Sequence, residues 1–322
     1  MRPSVAGVKQ RLARLFRRRL RRRLDPASLP DGAAERLRPD RPDLLALEAR
    51  YATMDAAVTT PLIWDAAQLS DEDLLWFRAD NHFIWQVRGP HSTRRAYRLA
   101  TRHLEQAGLG PLLDRLGEDG AFGAFLFRAG GRSVSRDLLD SAGEIDFLRR
   151  HASLGDRSLN ILDIGAGYGR LAWRIEQATG EGTRVFATDA VARSSFIADH
   201  YLRHRGAKRA MMVPLDEVEA LLAGTRIDMA VNVHSFSECR LEAIAWWVER
   251  LARAGVPKLL IVPNELRSGG TRCETNDGKD FTPVLARSGY RPLVSEPRYA
   301  DPKVQRHGLD PTCLHLFTLE GV

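Results

Sequence analysis

A doubly wound α/β sheet of seven strands, preceded by a mainly helical region, is the fold class the sequence predicts, on three observations. From Asn160 onward, short apolar runs alternate with amphipathic segments, the pattern of parallel strands joined by crossover helices. The first run, Leu159 to Ile164, ends in a turn with glycine at three alternate positions, Gly165, Gly167 and Gly169. The second, Arg184 to Thr188, is followed at once by an acidic residue, Asp189. Between about residues 44 and 155 apolar residues recur at helical spacing without that alternation. With 322 residues, 44% of them apolar, the chain can build a substantial core in one large or two modest domains. The division expected is a basic tail and linker over 1–43, a helical region over 44–155 and the sheet domain over 156–322.

Taken in order, the chain opens with ten basic residues between Arg2 and Arg23, ahead of its first acidic residue, Asp25. Without those ten, 38 basic residues face 41 acidic ones, so the formal charge of +7 belongs to the tail. A specific nucleic-acid-binding body is therefore not indicated. Val8, Leu12, Leu15, Phe16 and Leu20 recur at helical spacing, as in a basic amphipathic helix lying peripherally on an anionic inner membrane surface; a solvated, frayed tail is the alternative. The arginine run lacks the apolar core of a signal peptide, and no segment is apolar over enough length to span a bilayer. Cys239, Cys273 and Cys313 are widely spaced, which indicates neither a disulfide framework nor a zinc site and fits a cytoplasmic protein. Asp25 to Pro42 reads as linker.

In the helical region, Thr60-Pro61 and Gly89-Pro90 mark breaks. Tyr97, Ala100, His103, Leu104 and Ala107 share a helix face that ends near Gly108, and Glu118 to Gly123 makes a turn. Two polar clusters stand in apolar surroundings, one with Arg78, Asp80 and Asn81 and one with Arg136 and Asp137. Asp80, Asn81, Arg136 and Asp137 are candidate acceptor contacts carried by a lid, or else caps and ion-pair partners. In the sheet domain the spacing predicts a helix over 191–203, a third strand over 210–213, a fourth over 227–233, a helix over 241–251 and a fifth strand over 258–262. A helix over 283–288 and strands near 292–294 and 313–319 complete it.

The glycine turn is where a ligand is expected, because glycine permits the unusual backbone angles and keeps side chains away from an approaching molecule. Nicotinamide dinucleotides and S-adenosylmethionine both use such a turn. The dinucleotide pattern G-x-G-x-x-A fits Gly167, Gly169 and Ala172 only by leaving Asp163 and Gly165 unexplained. Read as D-x-G-x-G-x-G, Asp163 to Gly169 resembles the first motif of class I S-adenosylmethionine-dependent methyltransferases, whose acidic residue helps hold the methionine part of the cofactor. That resemblance implies a Rossmann-like seven-stranded methyltransferase sheet and the cofactor S-adenosylmethionine, with Tyr168 bordering it and Leu215 and Asp216 at the level of adenine. A carboxylate at Asp189 suits both ribose hydroxyls, with a helix cap as its alternative role.

Ligands of open α/β sheets bind beyond the carboxyl ends of the strands, and Asn232, His234, Ser235, Ser237 and Glu238 fall at the end of the fourth. Asn232 is a candidate cofactor contact. Of nine histidines, His234 alone lies at this edge in the predicted strand pattern, and it is the candidate base; orienting the loop is its alternative. Ser235 and Glu238 form S-x-x-E, a capping box, so Glu238 is a secondary catalytic candidate. Glu274, Asn276, Asp277 and Asp280 offer oxygen ligands to a divalent cation; a polar loop with an Asp-Gly turn is the alternative and the reading adopted, with Asp277 kept as a candidate acceptor contact.

Asn232-Val-His-Ser-Phe-Ser-Glu238, Asp277-Gly-Lys-Asp-Phe281, Glu296-Pro-Arg-Tyr299 with Asp301-Pro302, and Ser135-Arg-Asp-Leu-Leu-Asp140 together resemble the sugar O-methyltransferase family, over about Phe77 to Leu319. The resemblance implies methyl transfer to a sugar hydroxyl of a glycan or glycosylated natural product. Two other classes stay in view: a methyltransferase-fold protein with a non-catalytic, membrane-associated assembly role, and a nicotinamide-dependent oxidoreductase.

Overall fold

The computed structural model describes residues 24–64, 70–87, 91–264 and 268–321. The basic tail and the Gly89-Pro90 break lie outside these residues. Two short strands, β1 (Phe127–Ala129) and β2 (Arg132–Val134), pair as an antiparallel hairpin inside the region expected to be mainly helical. Its turn, Gly130-Gly131, has both residues at positive φ, as a two-residue hairpin connection requires.

Seven strands form the main sheet: β3 (Asn160–Ile164), β4 (Arg184–Thr188), β5 (Ala210–Met212), β6 (Met229–Val233), β7 (Lys258–Val262), β8 (Tyr290–Pro297) and β9 (Cys313–Leu319). Their order is β5-β4-β3-β6-β7-β9-β8. β9 alone runs against the others, pairing antiparallel with β7 and β8, so this is a Rossmann-like doubly wound sheet with a reversed strand next to one edge. Apolar runs such as Leu259–Val262 are buried on both faces because helices cover both. The helices Arg136–Ala152 and Arg170–Ala178 pack on one face through Leu138, Ile145, Leu171 and Ile175. Leu241–Arg253 packs on the other through Ile244, Val248 and Leu251. From β3 the chain steps outward to β4 and β5, then returns to place β6 on the other side of β3. The carboxyl ends of β3 and β6 diverge at that reversal, which opens a crevice there.

The stretch read as linker is built into the fold: Ala33 and Leu37 are buried in one cluster with Phe77, Tyr168 and Tyr201. Beneath that cluster lies an ionic network. Arg78 is fully buried and pairs with Glu118 at 2.8 Å and Asp137 at 3.0 Å. Arg174, from the sheet domain, pairs with the same two carboxylates at 3.2 and 3.1 Å. Tyr168, inside the glycine turn, donates its hydroxyl to Asp137 at 2.8 Å. The N-terminal region is thus fastened to the turn itself. Among the described residues, no helix is long and apolar enough to cross a membrane.

Candidate active site

The crevice is a cavity of about 220 Å³, lined by the glycine turn, the ends of β4 and β6, the start of the helix at Arg136 and a roof from Pro61–Trp64 and His82–Trp85. Its two ends differ in chemistry.

At one end the glycine turn lines the cavity, with neighbouring side chains packed close against its backbone. Gly165 has φ +69° and a Cβ there would stand 2.1 Å from Ser235 Oγ; Gly167 has φ +58° and faces Phe83. Any larger residue at 165 would be strained and would collide. Asp163, at the end of β3, is 3% exposed, and its Oδ2 has no hydrogen-bond partner. Burial pushes this carboxyl up to about 7. Asp189 follows β4; its Oδ2 accepts from the Gly167 N–H at 2.9 Å and its Oδ1 from the Val191 N–H at 2.8 Å. Burial pushes it up to about 7 as well. It braces the turn rather than capping the following helix, whose cap position is Val191.

At the other end stand His234, Glu238, Asn264, Arg136, Asp140 and Asp310. His234 leaves β6 at φ +67°, with its N–H donating to Val262 O at 2.7 Å. Its Nε2 lies 3.2 Å from Asp310 Oδ2, while Nδ1 is buried and has no hydrogen-bond partner. Burial opposes the imidazolium, but the Asp310 carboxylate outweighs it and the ring's pKa is raised. Asp310 also meets Arg136 and Arg298, each at 3.0 Å. Burial opposes its charge, yet Arg298, Arg136 and His234 hold the carboxyl well below its usual range.

Glu238 departs from the capping box expected of it. The turn Ser235–Glu238 has no side-chain cap at His234; instead Asn232 Oδ1 accepts from the Phe236 N–H at 2.8 Å. Freed from that role, Glu238 accepts from Trp64 Nε1 at 2.5 Å and Asn264 Nδ2 at 3.3 Å, and burial raises its pKa.

The other expected site residues divide sharply. Asn232 is fully buried and ties β6 to β3 through Ile164 O at 3.0 Å, away from the cavity. Leu215 is buried beside Tyr51, and Asp216 is engaged by Arg50 at 2.8 Å; neither lines the cavity. Tyr168 lines it, and its hydroxyl is anchored to Asp137. Gly169 packs against Leu202. Asp80 and Asn81 shape the roof loop from behind: Asp80 Oδ1 accepts from the Gln86 and Val87 N–H groups, and Asn81 Oδ1 from that of Phe83. Arg136 lines the cavity and is held by Asp140, Asp310 and Trp85 O, each at 3.0 Å. Asp137 belongs to the buried ionic network.

Asp277 lies outside the cavity, bound to Thr275 at 2.5 Å and Lys279 at 3.1 Å. Glu274 and Asp280 face each other across an isolated bridge, and Asp280 accepts from the Thr282 N–H at 2.8 Å. Among the described residues no three His, Cys, Asp or Glu side chains gather as metal ligands. Sequence reading missed Asp310, Trp64, Asn264 and Arg170; only Arg298 carried a signal, within Glu296-Pro-Arg-Tyr299.

No protein-family model and no curated protein matches the chain. Among solved structures, it is similar to magnesium protoporphyrin IX methyltransferase (ChlM) from Synechocystis PCC 6803 with bound SAM, at 14% identity over 71% of this chain and 100% of that one, with a TM-score of 0.41. A SAM-dependent methyltransferase from Aquifex aeolicus aligns at 17% identity over 55% and 90%, with a TM-score of 0.40. The glycopeptide N-methyltransferase MtfA complexed with sinefungin aligns at 15% over 55% and 87%, with a TM-score of 0.41. Likenesses this distant concern the path of the chain and say nothing of its substrate.

Proposed function

We propose that this chain is an S-adenosylmethionine-dependent O-methyltransferase acting on a sugar hydroxyl of a glycan or glycosylated natural product. The observation that carries the reading is Asp163: a buried carboxylate with an unpartnered oxygen, beside a glycine turn that lines the same cavity. Such a group favours a cationic, hydrogen-bond-donating ligand. The methionine ammonium of the cofactor meets that requirement, and Asp189, at the end of the adjacent strand, suits its ribose hydroxyls. A dinucleotide would instead bring a pyrophosphate to the turn, next to two carboxylates that repel it.

When bound, S-adenosylmethionine supplies an already activated methyl group. The residues of this chain have the remaining tasks: to align the acceptor oxygen, exclude water and take up its proton. His234 takes that proton. The roof loops, with Phe83 and Trp85, close the cavity from above. The sugar part of the reading rests on the resemblance around His234, and it is supported by Trp64, Glu238 and Asn264 lining the same cavity, an aromatic ring together with groups that exchange hydrogen bonds with hydroxyls.

Calorimetric titration of S-adenosylmethionine and of NADH tests the cofactor, and a panel of soluble glycosides tests the acceptor. Saturable S-adenosylmethionine binding, weakened about tenfold or more by Asp189→Ala through loss of charge-assisted hydrogen bonds, is the expected result. Binding of NADH alone would overturn the proposal. With an acceptor in hand, His234→Ala should lower kcat by about 10²-fold or more while cofactor affinity stays near wild type; unchanged turnover would remove His234 as the base.

A further inference from the structure

We propose that Asp310 is a positioning residue for His234: its carboxylate beside Nε2 holds the ring proton on that nitrogen and so leaves Nδ1 as the one that takes the proton of the acceptor hydroxyl. This rests on the methyl-transfer reading above. The two meet as an ion pair, with Nε2 3.2 Å from Asp310 Oδ2, and Oδ2 has no aligned hydrogen bond. With the proton on Nδ1 instead, the Nε2 lone pair would face a carboxylate, so the pairing selects one tautomer. Nδ1 is then a buried acceptor without a partner, which a bound hydroxyl satisfies. In the transfer, the O–H bond breaks, its electron pair stays on oxygen, and the proton goes to Nδ1. The imidazolium so formed is stabilised by Asp310.

Asp310 is itself fixed from two directions. Arg136, at the start of its helix, and Arg298, just beyond β8, each lie 3.0 Å from its carboxylate and keep it ionised. Arg136 and Arg298 also engage Asp140, at 3.0 and 2.9 Å. The charged groups around the imidazole are therefore Asp310, Arg136, Arg298, Asp140 and, from its own turn, Glu238. His234 and Asp310 are two of the four non-glycine residues at positive φ among the described residues, at +67° and +42°. A backbone cost of that kind on both members fits a pairing that the surrounding fold imposes.

The test uses the full chain with ¹⁵N-labelled histidine, His234 being assigned from the signal lost in His234→Gln. The expected wild-type spectrum has the neutral His234 ring protonated on Nε2. In Asp310→Asn the pKa of His234 should fall by about 1 unit or more. Since the base works unprotonated, the acid limb of the turnover profile should move to lower pH, with kcat down by about 10²-fold or more. The Kd for S-adenosylmethionine should change by less than about threefold, because Asp310 engages His234, Arg136 and Arg298 rather than the glycine turn. Asp310→Glu should restore part of kcat. A wild-type ring protonated on Nδ1, or an Asp310→Asn variant with unshifted pKa and wild-type kcat, overturns the proposal. Should Asp310→Asn fail to fold, the wild-type tautomer decides. Failure to bind S-adenosylmethionine would sink the parent reading alone, since the ring measurement needs no cofactor.

Discussion

Asp163 and Asp189 are both pushed by burial to about 7, although one lacks a partner at Oδ2 and the other accepts two backbone amides. Two consequences follow from the sign of that shift. The folded protein holds protons between about pH 4 and 7 that the unfolded chain has lost, so without ligand its stability declines as pH rises through that range and levels off above it. A cationic ligand at Asp163 favours the ionised form, so its binding should release protons at pH 6 and almost none at pH 8. Calorimetry in buffers of different ionisation enthalpy measures this release directly. Equal proton exchange at the two pH values would show that Asp163 does not meet the cation.

The elements explain why some of the site was legible in the sequence and some was not. Strands are short and local, so apolar runs placed β4, β7 and β9 at their observed limits and β3, β5 and β6 within two residues, while β8 extends further than expected and the hairpin β1–β2 was not foreseen. The glycine turn announced itself because only glycine tolerates its angles. Asp163, Asp189, His234 and Glu238 were found for a related reason, since strand ends point at the crevice. Leu215 and Asp216 were placed by analogy of level, and a local arginine, Arg50, claims Asp216 instead. S-x-x-E was read as a cap because sequence cannot show that Asn232 already supplies the turn's acceptor. Asp310 was invisible for a different reason: its partners come from three distant segments and meet only through the sheet. The turn also makes the clearest prediction at this scale. Gly165→Ala forces a strained φ and a contact 2.1 Å from Ser235 Oγ, so it should cost about 1–3 kcal/mol of stability and most of the cofactor affinity. Thermal unfolding and calorimetry check both, and a variant that keeps wild-type values would show that the turn is not the binding element.

Across the whole molecule, the N-terminal region and the sheet domain share one buried network in which Arg78 and Arg174 balance Glu118 and Asp137. Removing one cation leaves a buried charge uncompensated, so Arg78→Ala should destabilise the protein by about 3–5 kcal/mol, read by urea unfolding; a loss under about 1 kcal/mol would mean that the two parts are held by apolar packing alone. The network ends at the Tyr168 hydroxyl, so the same change should also weaken cofactor binding at a distance.

The strand order has a consequence for how the molecule comes into being. β8 pairs only with β9, and β9 lies between β7 and β8, so β8 has no place in the sheet until the segment after Asp310 has been made. A chain emerging from the ribosome therefore has the glycine turn, Asp163, Asp189 and His234 before it has Asp310, the carboxylate that pairs with the imidazole. Vectorial synthesis makes the glycine turn early and β9 last among the described strands, so the sheet is complete only once β9 has joined β7 and brought β8 with it.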